Sequence, residues 1–312
     1  MRSEHVPVAL ERTIELLSPV LVGSSPLLID ATLGLGGHTE ELLKKFPTLH
    51  VMGIDRDKSA LEKAAQRLNH FGDRVKLVHA VYDQIAEVAR ESGITSVEAI
   101  LFDLGVSSMQ LDNAERGFAY SHEAPLDMRM DQSRGVSARD VVNNYSHEEL
   151  TRIIRVYGEE RFASRIAARI IDARALAPLD STVELAEIVK ESIPAATRRV
   201  GGNPAKRTFQ ALRIYVNNEL EVLERAIPAA LDLLAINGRM VVLSYHSLED
   251  RIVKSAFAAV SSTHVPHGLP MEPEPARFQL LTRASESATE EEIAANPRSQ
   301  SVRIRAIERK AA

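Results

Sequence analysis

The first hundred residues constrain the fold most. Four short apolar runs, Pro26 to Ala31, Leu49 to Asp55, Val75 to Val78 and Val97 to Asp103, alternate with stretches of helical apolar spacing such as Ala60, Leu61, Ala64, Ala65 and Leu68. Strands alternating with helices specify an α/β fold with a parallel, doubly wound sheet, because each parallel pair needs a crossover between its strands. The turn after the first strand, Asp30-Ala-Thr-Leu-Gly34-Leu-Gly36-Gly37-His38, is rich in glycine and opens a helix. Glycine lets a backbone approach a ligand closely, and a helix N-terminus offers free N–H groups. The second strand ends in Asp55, about 20 residues further on, where an acid can accept both hydroxyls of a ribose. A dinucleotide fingerprint would need a third glycine or alanine where Thr39 stands, which disfavours a nicotinamide oxidoreductase.

The alternation then stops. Leu104 to about Lys206 carries no convincing central strand. A loop-rich stretch from Gly105 to Gly135 leads into helical text. Ser146 with Glu149 makes a capping box, and two further helices are expected over Glu159 to Ala175 and Ser181 to Glu191. Beyond this block, Leu212, Val216, Leu220, Leu223 and Ile227 form one stripe of a long amphipathic helix. Asn237-Gly238 reads as a turn, Arg239 to Ser244 as a fifth strand, and Leu248 to Val260 as a helix. His264 to Ala276 is a proline-rich loop, and Phe278 to Thr282 and Val302 to Ile307 are two late strands. A parallel sheet closed by a late hairpin fits a class I methyltransferase, a Rossmann-like sheet, with an inserted helical domain. The expected division is a discontinuous α/β domain over 1–105 and 207–312, interrupted by a helical domain over 106–206.

Several side chains stand where chemistry would be done. Ligands of open α/β sheets bind beyond the carboxyl ends of the strands. Asp30, Asp55 and Asp103 end the first, second and fourth strands. Tyr82, just past the third, is placed to stack on an adenine or to pack in the core. The polar stretches Gln110 to Phe118 and Pro125 to Asp131 are long for an idle connection. Within them Met128 and Met130 read as packing residues, and Arg129 as a partner of its flanking acids. Ser247 is a candidate cap for the next helix, with Asp250 reciprocal to it. That places His246 at the rim of the crevice as a substrate contact or proton acceptor. Thr197 to Arg213 holds Arg198, Arg199, Lys206, Arg207 and Arg213 without an acid, which reads as a phosphate-backbone contact or as a solvated charge run. Arg298, Arg303, Arg305, Arg309 and Lys310 form a second basic run. Neither an H-E-x-x-H pair nor a P-loop is present, so the sequence offers no metal site and no nucleotide-hydrolysis motif.

Composition narrows the chemistry. The chain of 312 residues carries 38 Lys plus Arg against 43 Asp plus Glu, a net charge of −5, which disfavours a binder of nucleic acid over its whole surface. There is no cysteine, which removes disulfides, thiolate zinc sites, iron–sulfur clusters and cysteine nucleophiles. Tryptophan is also absent and aromatics are only 4%, which disfavours an extended base-stacking platform. The first 21 residues are interrupted by charges and do not read as a signal peptide, and no window is apolar enough to span a bilayer. A cytoplasmic location is therefore expected, with no membrane partner. Monomer and homodimer both remain open.

Read together, seven segments resemble one family. They are Asp30 to His38, Asp103 to Ser108, Glu115 to Phe118, Pro125 to Asp131, Tyr157 to Phe162, Arg207 to Arg213 and His246 to Arg251. The family is the bacterial methyltransferase H, which methylates the cytosine N4 of small-subunit (16S) ribosomal RNA. The matches run in order from about His5 to the C-terminus. The resemblance implies S-adenosylmethionine as methyl donor and the exocyclic N4 of one cytidine in 16S rRNA, near the ribosomal P site, as acceptor. It implies cofactor contacts at Gly36, Gly37, His38, Asp55, Tyr82, Asp103 and Gln110, and substrate recognition by the insert. Tyr82 departs from the phenylalanine common in the family, but its ring can still stack. Independently, methylation at ring carbon five typically uses a cysteine adduct, whereas an exocyclic amine needs only in-line placement, acceptors and loss of a proton. The D/N/S-P-P-Y/F motif of many amino-methyltransferases is missing from Asp103-Leu-Gly-Val. The candidates for handling the amine are Asp103 with the backbone carbonyls of Leu104 to Val106, and Ser244 and His246 opposite them. Arg198, Arg199, Lys206 and Arg207 are the candidate RNA contacts. A small-molecule methyltransferase, or an RNA-binding assembly factor that has lost catalysis, are the alternatives.

Overall fold

The computed structural model describes residues 7–195, 203–262 and 276–311. Arg198, Arg199 and nearly all of the proline-rich stretch after His264 lie outside the described residues. The chain divides into two units, Met1–Gly105 with Leu220–Ala312, and Val106–Glu219.

The first unit is built on one seven-stranded sheet. Its strands are β1 (Leu27–Asp30), β2 (His50–Asp55), β3 (Val75–His79), β4 (Val97–Asp103), β5 (Leu234–Ser244), β6 (Phe278–Leu280) and β7 (Arg303–Arg309), in the order β3-β2-β1-β4-β5-β7-β6. The first five are parallel, and β7 runs antiparallel to both β5 and β6. This is the class I methyltransferase sheet with its late hairpin. Alternation along each strand fills two cores. Ile29, Met52, Ile54, Ile100, Phe102, Met240 and Val242 face one side, with Ile85, Leu223, Ile227 and Phe257. Leu28, Val51, Leu101, Val241 and Leu243 face the other, with Leu17, Leu42 and Leu61. A parallel sheet buried on both faces needs such unbroken apolar runs, which is why the strands were legible.

Helices cover the sheet: α1 (Leu10–Leu17), α2 (Gly37–Lys45), α3 (Lys58–Leu68) and α4 (Ile85–Glu91). In the second unit lie α5 (Ser108–Asp112), α6 (Ala138–Asn144), α7 (His147–Gly158), α8 (Ala163–Arg174), α9 (Thr182–Ser192) and α10 (Lys206–Asn217). After it come α11 (Glu219–Leu233), α12 (Ser247–Ser261) and α13 (Glu290–Ala295). The core of the second unit is Leu150, Ile153, Ile154, Ile166, Ile170, Leu185, Val189, Phe209 and Leu212. The Ser146–Glu149 capping box forms as expected: Ser146 Oγ accepts from Glu149 N at 3.2 Å, and Glu149 Oε2 accepts from Ser146 N at 2.8 Å.

Three expectations are corrected. The single stripe from Leu212 to Ile227 is two helices. Asn218 sits in the left-handed region at φ 55° and ends α10, and α11 starts at the next residue. Because α10 packs within the second unit, that unit extends to Glu219 rather than ending at 206. Asn237-Gly238 is a bulge inside β5 rather than a turn before it: the register against β4 slips between Val97 and Ala99, and Asn237 takes φ 66°.

The long loop of the second unit is packed rather than loose. Phe118, Leu126, Met128 and Met130 are buried in its core. Asn217, itself buried, accepts from Met130 N at 2.7 Å and donates to the carbonyls of Met128 at 2.7 Å and Arg213 at 2.9 Å. Arg116 donates to the carbonyls of Arg129 and Met130. Gly117 takes φ 71°, and a Cβ there would collide with the Pro125 carbonyl oxygen. Arg129 is bound to Asp127, as its flanking acids suggested. No helix among the described residues is long and apolar enough to cross a membrane.

Candidate active site

The carboxyl edge of the sheet gathers the three acids. Asp30 and Asp103 end adjacent strands, and Asp55 ends the strand beyond β1. The glycine turn folds over this edge. Leu33 N donates to Ile54 O at 3.0 Å, which lays the turn against β2. Gly34 N donates to Asp55 Oδ2 at 2.7 Å, and Asp57 N donates to Oδ1 at 2.7 Å. Each Asp55 oxygen thus accepts one backbone N–H and keeps lone-pair capacity for a second donor. Burial pushes the Asp55 carboxyl up to about 6, against the two backbone hydrogen bonds.

The glycines have reasons inside the protein. Gly36 caps α2 at φ 75°, and a Cβ there would stand 2.9 Å from Leu68 Cδ1. A Cβ on Gly37 would stand 2.7 Å from Pro7 Cγ. Close packing accounts for both residues without a ligand, so the pattern Gly36-Gly37 alone does not prove a binding turn. What points to a ligand is the set: an acid at the end of β2, a helix start beside it, and polar groups on the ends of three strands.

Asp30 is buried and tied down. Its Oδ2 accepts from Thr39 Oγ1 at 2.7 Å and its Oδ1 from Thr32 N at 3.3 Å, and burial pushes it up to about 6. Thr32 Oγ1 accepts from Asp103 N at 2.6 Å, so the end of β4 is fixed to the same turn. The Asp103 carboxylate lies between two partners. Oδ1 accepts from the Tyr245 hydroxyl at 2.6 Å, and Oδ2 stands 3.6 Å from His38 Nδ1. The other His38 nitrogen, Nε2, donates to the Val8 carbonyl at 2.9 Å. The Tyr245 hydroxyl is held well above its ordinary range, first by burial and then by the charge of Asp103, so it stays a donor.

The structure brings together Gly36, Gly37, His38, Asp55 and Asp103. Tyr82 lies beyond β3, half-buried, edge-on to Phe102 at 5.7 Å and 88°. Gln110 belongs to the second unit. It is buried there, and its Oε1 accepts from Ser107 N at 3.0 Å in a capping box.

Two catalytic candidates do not stand as expected. Ser244 closes β5 between β4 and β7 and is completely buried, with no hydrogen-bond partner for its hydroxyl among the described residues. It does not line an open crevice. His246, rather than Ser247, caps α12: its Nδ1 accepts from Glu249 N at 3.4 Å, and Nε2 stands 3.2 Å from Glu249 Oε1. Its side chain is only 7% exposed, and its ring serves the helix start. Asp250 is reciprocal to nothing in this cap and pairs with Arg303 and Arg305 instead.

The basic runs also change meaning. Arg213 is clamped on Glu219 through two hydrogen bonds of 2.9 Å, so it is not a free cation. Of the described residues in that run, Lys206 and Arg207 are exposed at the start of α10, with Arg207 Nη1 donating to Glu159 O at 3.1 Å. In the C-terminal run, Arg303 and Arg305 bind Asp250, Arg309 donates to the carbonyls of Asp232 and Leu234, and Lys310 pairs with Glu308. The arginines tie β7 to α12 and to the start of β5. Sequence reasoning passed over Tyr245; the signal was its position beside β5, whose Leu243 is in register with Asp103.

Known proteins resemble this chain along nearly its whole length. The model of the MraW methylase family matches residues 2–310. A ribosomal RNA small subunit methyltransferase H of Parafrankia sp. is 58% identical over 310 residues, covering 99% of this chain and 95% of that protein. The protein of the same name from Thermobifida fusca is 58% identical over 308 residues, covering 98% of this chain and 93% of that one. Among solved structures, an rRNA methylase from Streptococcus thermophilus is 12% identical, with a TM-score of 0.44 and coverage of 98% and 99%.

Proposed function

The chain belongs to the MraW methylase family, and from that premise we propose that it transfers a methyl group from S-adenosylmethionine to the exocyclic N4 of one cytidine in 16S ribosomal RNA, near the P site. Relatives at 58% identity over nearly their whole length are named for small-subunit ribosomal RNA methylation, which carries the substrate class. The observation that supports the cofactor is Asp55: a half-buried carboxylate at the end of β2 whose oxygens keep capacity for two hydroxyl donors. The absence of cysteine supports an amine acceptor over ring carbon five.

S-adenosylmethionine, when bound, supplies an electrophilic methyl group on a sulfonium. The protein's share is binding, orientation and proton handling. Asp55 takes the ribose hydroxyls, and the Tyr82 ring packs beside the base. Gly36, Gly37 and His38 form the wall of the turn. Asp103, fixed on Tyr245 and beside His38, is a cofactor contact. With the Leu104 carbonyl it would also orient the amine and take up its proton, as the N–C bond forms and the donor's methyl–sulfur bond breaks to release a neutral thioether. Gln110 of the second unit is a further cofactor contact in this reading, and Lys206 and Arg207 contact the RNA backbone, with Arg198 and Arg199 outside the described residues. The enzyme acts in the cytoplasm, where its ribosomal substrate is.

The test is methyl transfer from labelled S-adenosylmethionine to small ribosomal subunits lacking the modification. Wild-type protein is expected to label one cytidine, recovered as N4-methylcytidine after digestion. Asp55→Ala is expected to raise the KM for the cofactor by about tenfold or more, the cost of losing hydrogen bonds to a charged acceptor. Label on carbon five, or none on RNA, would overturn the proposal.

A further inference from the structure

The end of β5 places one residue against the active carboxylate that the reaction as described does not use directly. Tyr245 follows Ser244 at the strand end, and its hydroxyl donates to Asp103 Oδ1 at 2.6 Å. Its own backbone is fixed, because Tyr245 N donates to Glu249 Oε2 at 2.8 Å, and Glu249 is buried at the start of α12. Its ring packs against the apolar face that holds Leu243 and Ile304. Asp103 is held in addition through its backbone, which donates to Thr32 Oγ1, and stands near His38 on its other oxygen.

A carboxylate on a strand end has two free torsions and turns readily if nothing holds it. Here one oxygen is held by a rigid aromatic arm anchored in the core, which leaves the rest of the group oriented before any ligand arrives. Such preorganisation saves the cost of ordering the side chain on binding. We propose that Tyr245 is a positioning residue: its hydroxyl pins the Asp103 carboxylate in the orientation that the cofactor meets. The proposal rests on the reading of Asp103 as a cofactor contact. Tyr245 touches neither cofactor nor RNA and acts only through Asp103.

The experiment is a double-mutant cycle on the full-length protein, read by calorimetric titration with S-adenosylmethionine and by steady-state KM and kcat. Tyr245→Phe keeps the ring and removes only the hydroxyl. It is expected to weaken cofactor binding about threefold to tenfold, the range for ordering one side chain on binding, and to raise the cofactor KM by the same factor. The thermal midpoint should stay near the wild-type value. In an Asp103→Ala background, the same change should have almost no further effect, because no acceptor is left to position. An equal loss in both backgrounds, or no loss in the wild-type background, overturns the proposal. If Asp103→Ala itself leaves cofactor binding unchanged, the reading of Asp103 fails and Tyr245 falls with it. If Asp103→Ala weakens binding and Tyr245→Phe does not, the reading stands and only the role of Tyr245 is lost.

Discussion

Asp55 shows how much a single residue discloses. Its type and its place at the end of the second strand pointed to a ribose contact from sequence alone. Its state is visible only in the fold, where burial raises the carboxyl to about 6. Asp30 is raised to about 6 by the same cause. A carboxyl raised in the native protein favours its protonated form, so its contribution to stability is present below about pH 4 and is lost as pH rises through 6. Cofactor binding runs the other way, because hydroxyl donors need the ionised carboxylate. Affinity for S-adenosylmethionine is therefore expected to rise between pH 5 and pH 7.5, and Asp55→Asn should flatten most of that rise. Calorimetric titration at several pH values checks this, and an unchanged slope in the variant contradicts it. Ser244 and His246 were assigned by proximity to a strand end; the structure buries Ser244 completely and sets His246 as the cap of α12. Whether such a side chain faces the ligand or the interior depends on its neighbours across the sheet, and no spacing rule reports that.

Element by element, the sequence was most legible where a pattern repeats. β1, β2 and β4 ran as nearly unbroken apolar runs because both faces of the sheet are covered there, and the Ser146–Glu149 cap forms as written. The break at Asn218 was hidden, because the stripe on either side continues at helical spacing and one residue at positive φ leaves no periodic trace. The inward residues of α10 are Thr208, Phe209, Ala211, Leu212, Ile214 and Asn217, whereas Val216 of the supposed stripe is only half-buried. Asn217 is the keystone of this element, since it holds the backbone at Met128 and Met130. Asn217→Ala would leave the buried Met130 N–H without its acceptor and is expected to destabilise the second unit by about 2–3 kcal/mol. Gly117→Ala should cost at least as much, since it combines a left-handed backbone with a clash on the Pro125 carbonyl. Denaturant unfolding of each variant measures both, and a loss under about 0.5 kcal/mol would contradict the packing described here.

At the scale of the whole molecule, charge divides by use. The net charge of −5 averages cations of two kinds. Arg303, Arg305, Arg309, Lys310 and Arg213 are committed to acids or carbonyls within the protein. Lys206 and Arg207 stand exposed at a helix start, where the macrodipole makes cations unfavourable and an external anion welcome. Replacing Lys206 and Arg207 together by alanine should weaken RNA binding and reduce its salt slope by about 1.4, or about 0.7 for each phosphate of unpaired RNA that is no longer neutralised. Arg303→Ala should leave that slope unchanged. Filter binding across a salt series separates the two, and an equal drop in slope for Arg303→Ala would return the C-terminal run to the RNA. The proposed activity comes down to one reaction at one atom, and mass mapping of 16S RNA tests it most directly. RNA from cells lacking the gene is expected to miss one methyl group on the amine of a single cytidine near the P site, and the gene should restore it. RNA identical with and without the gene would contradict that assignment.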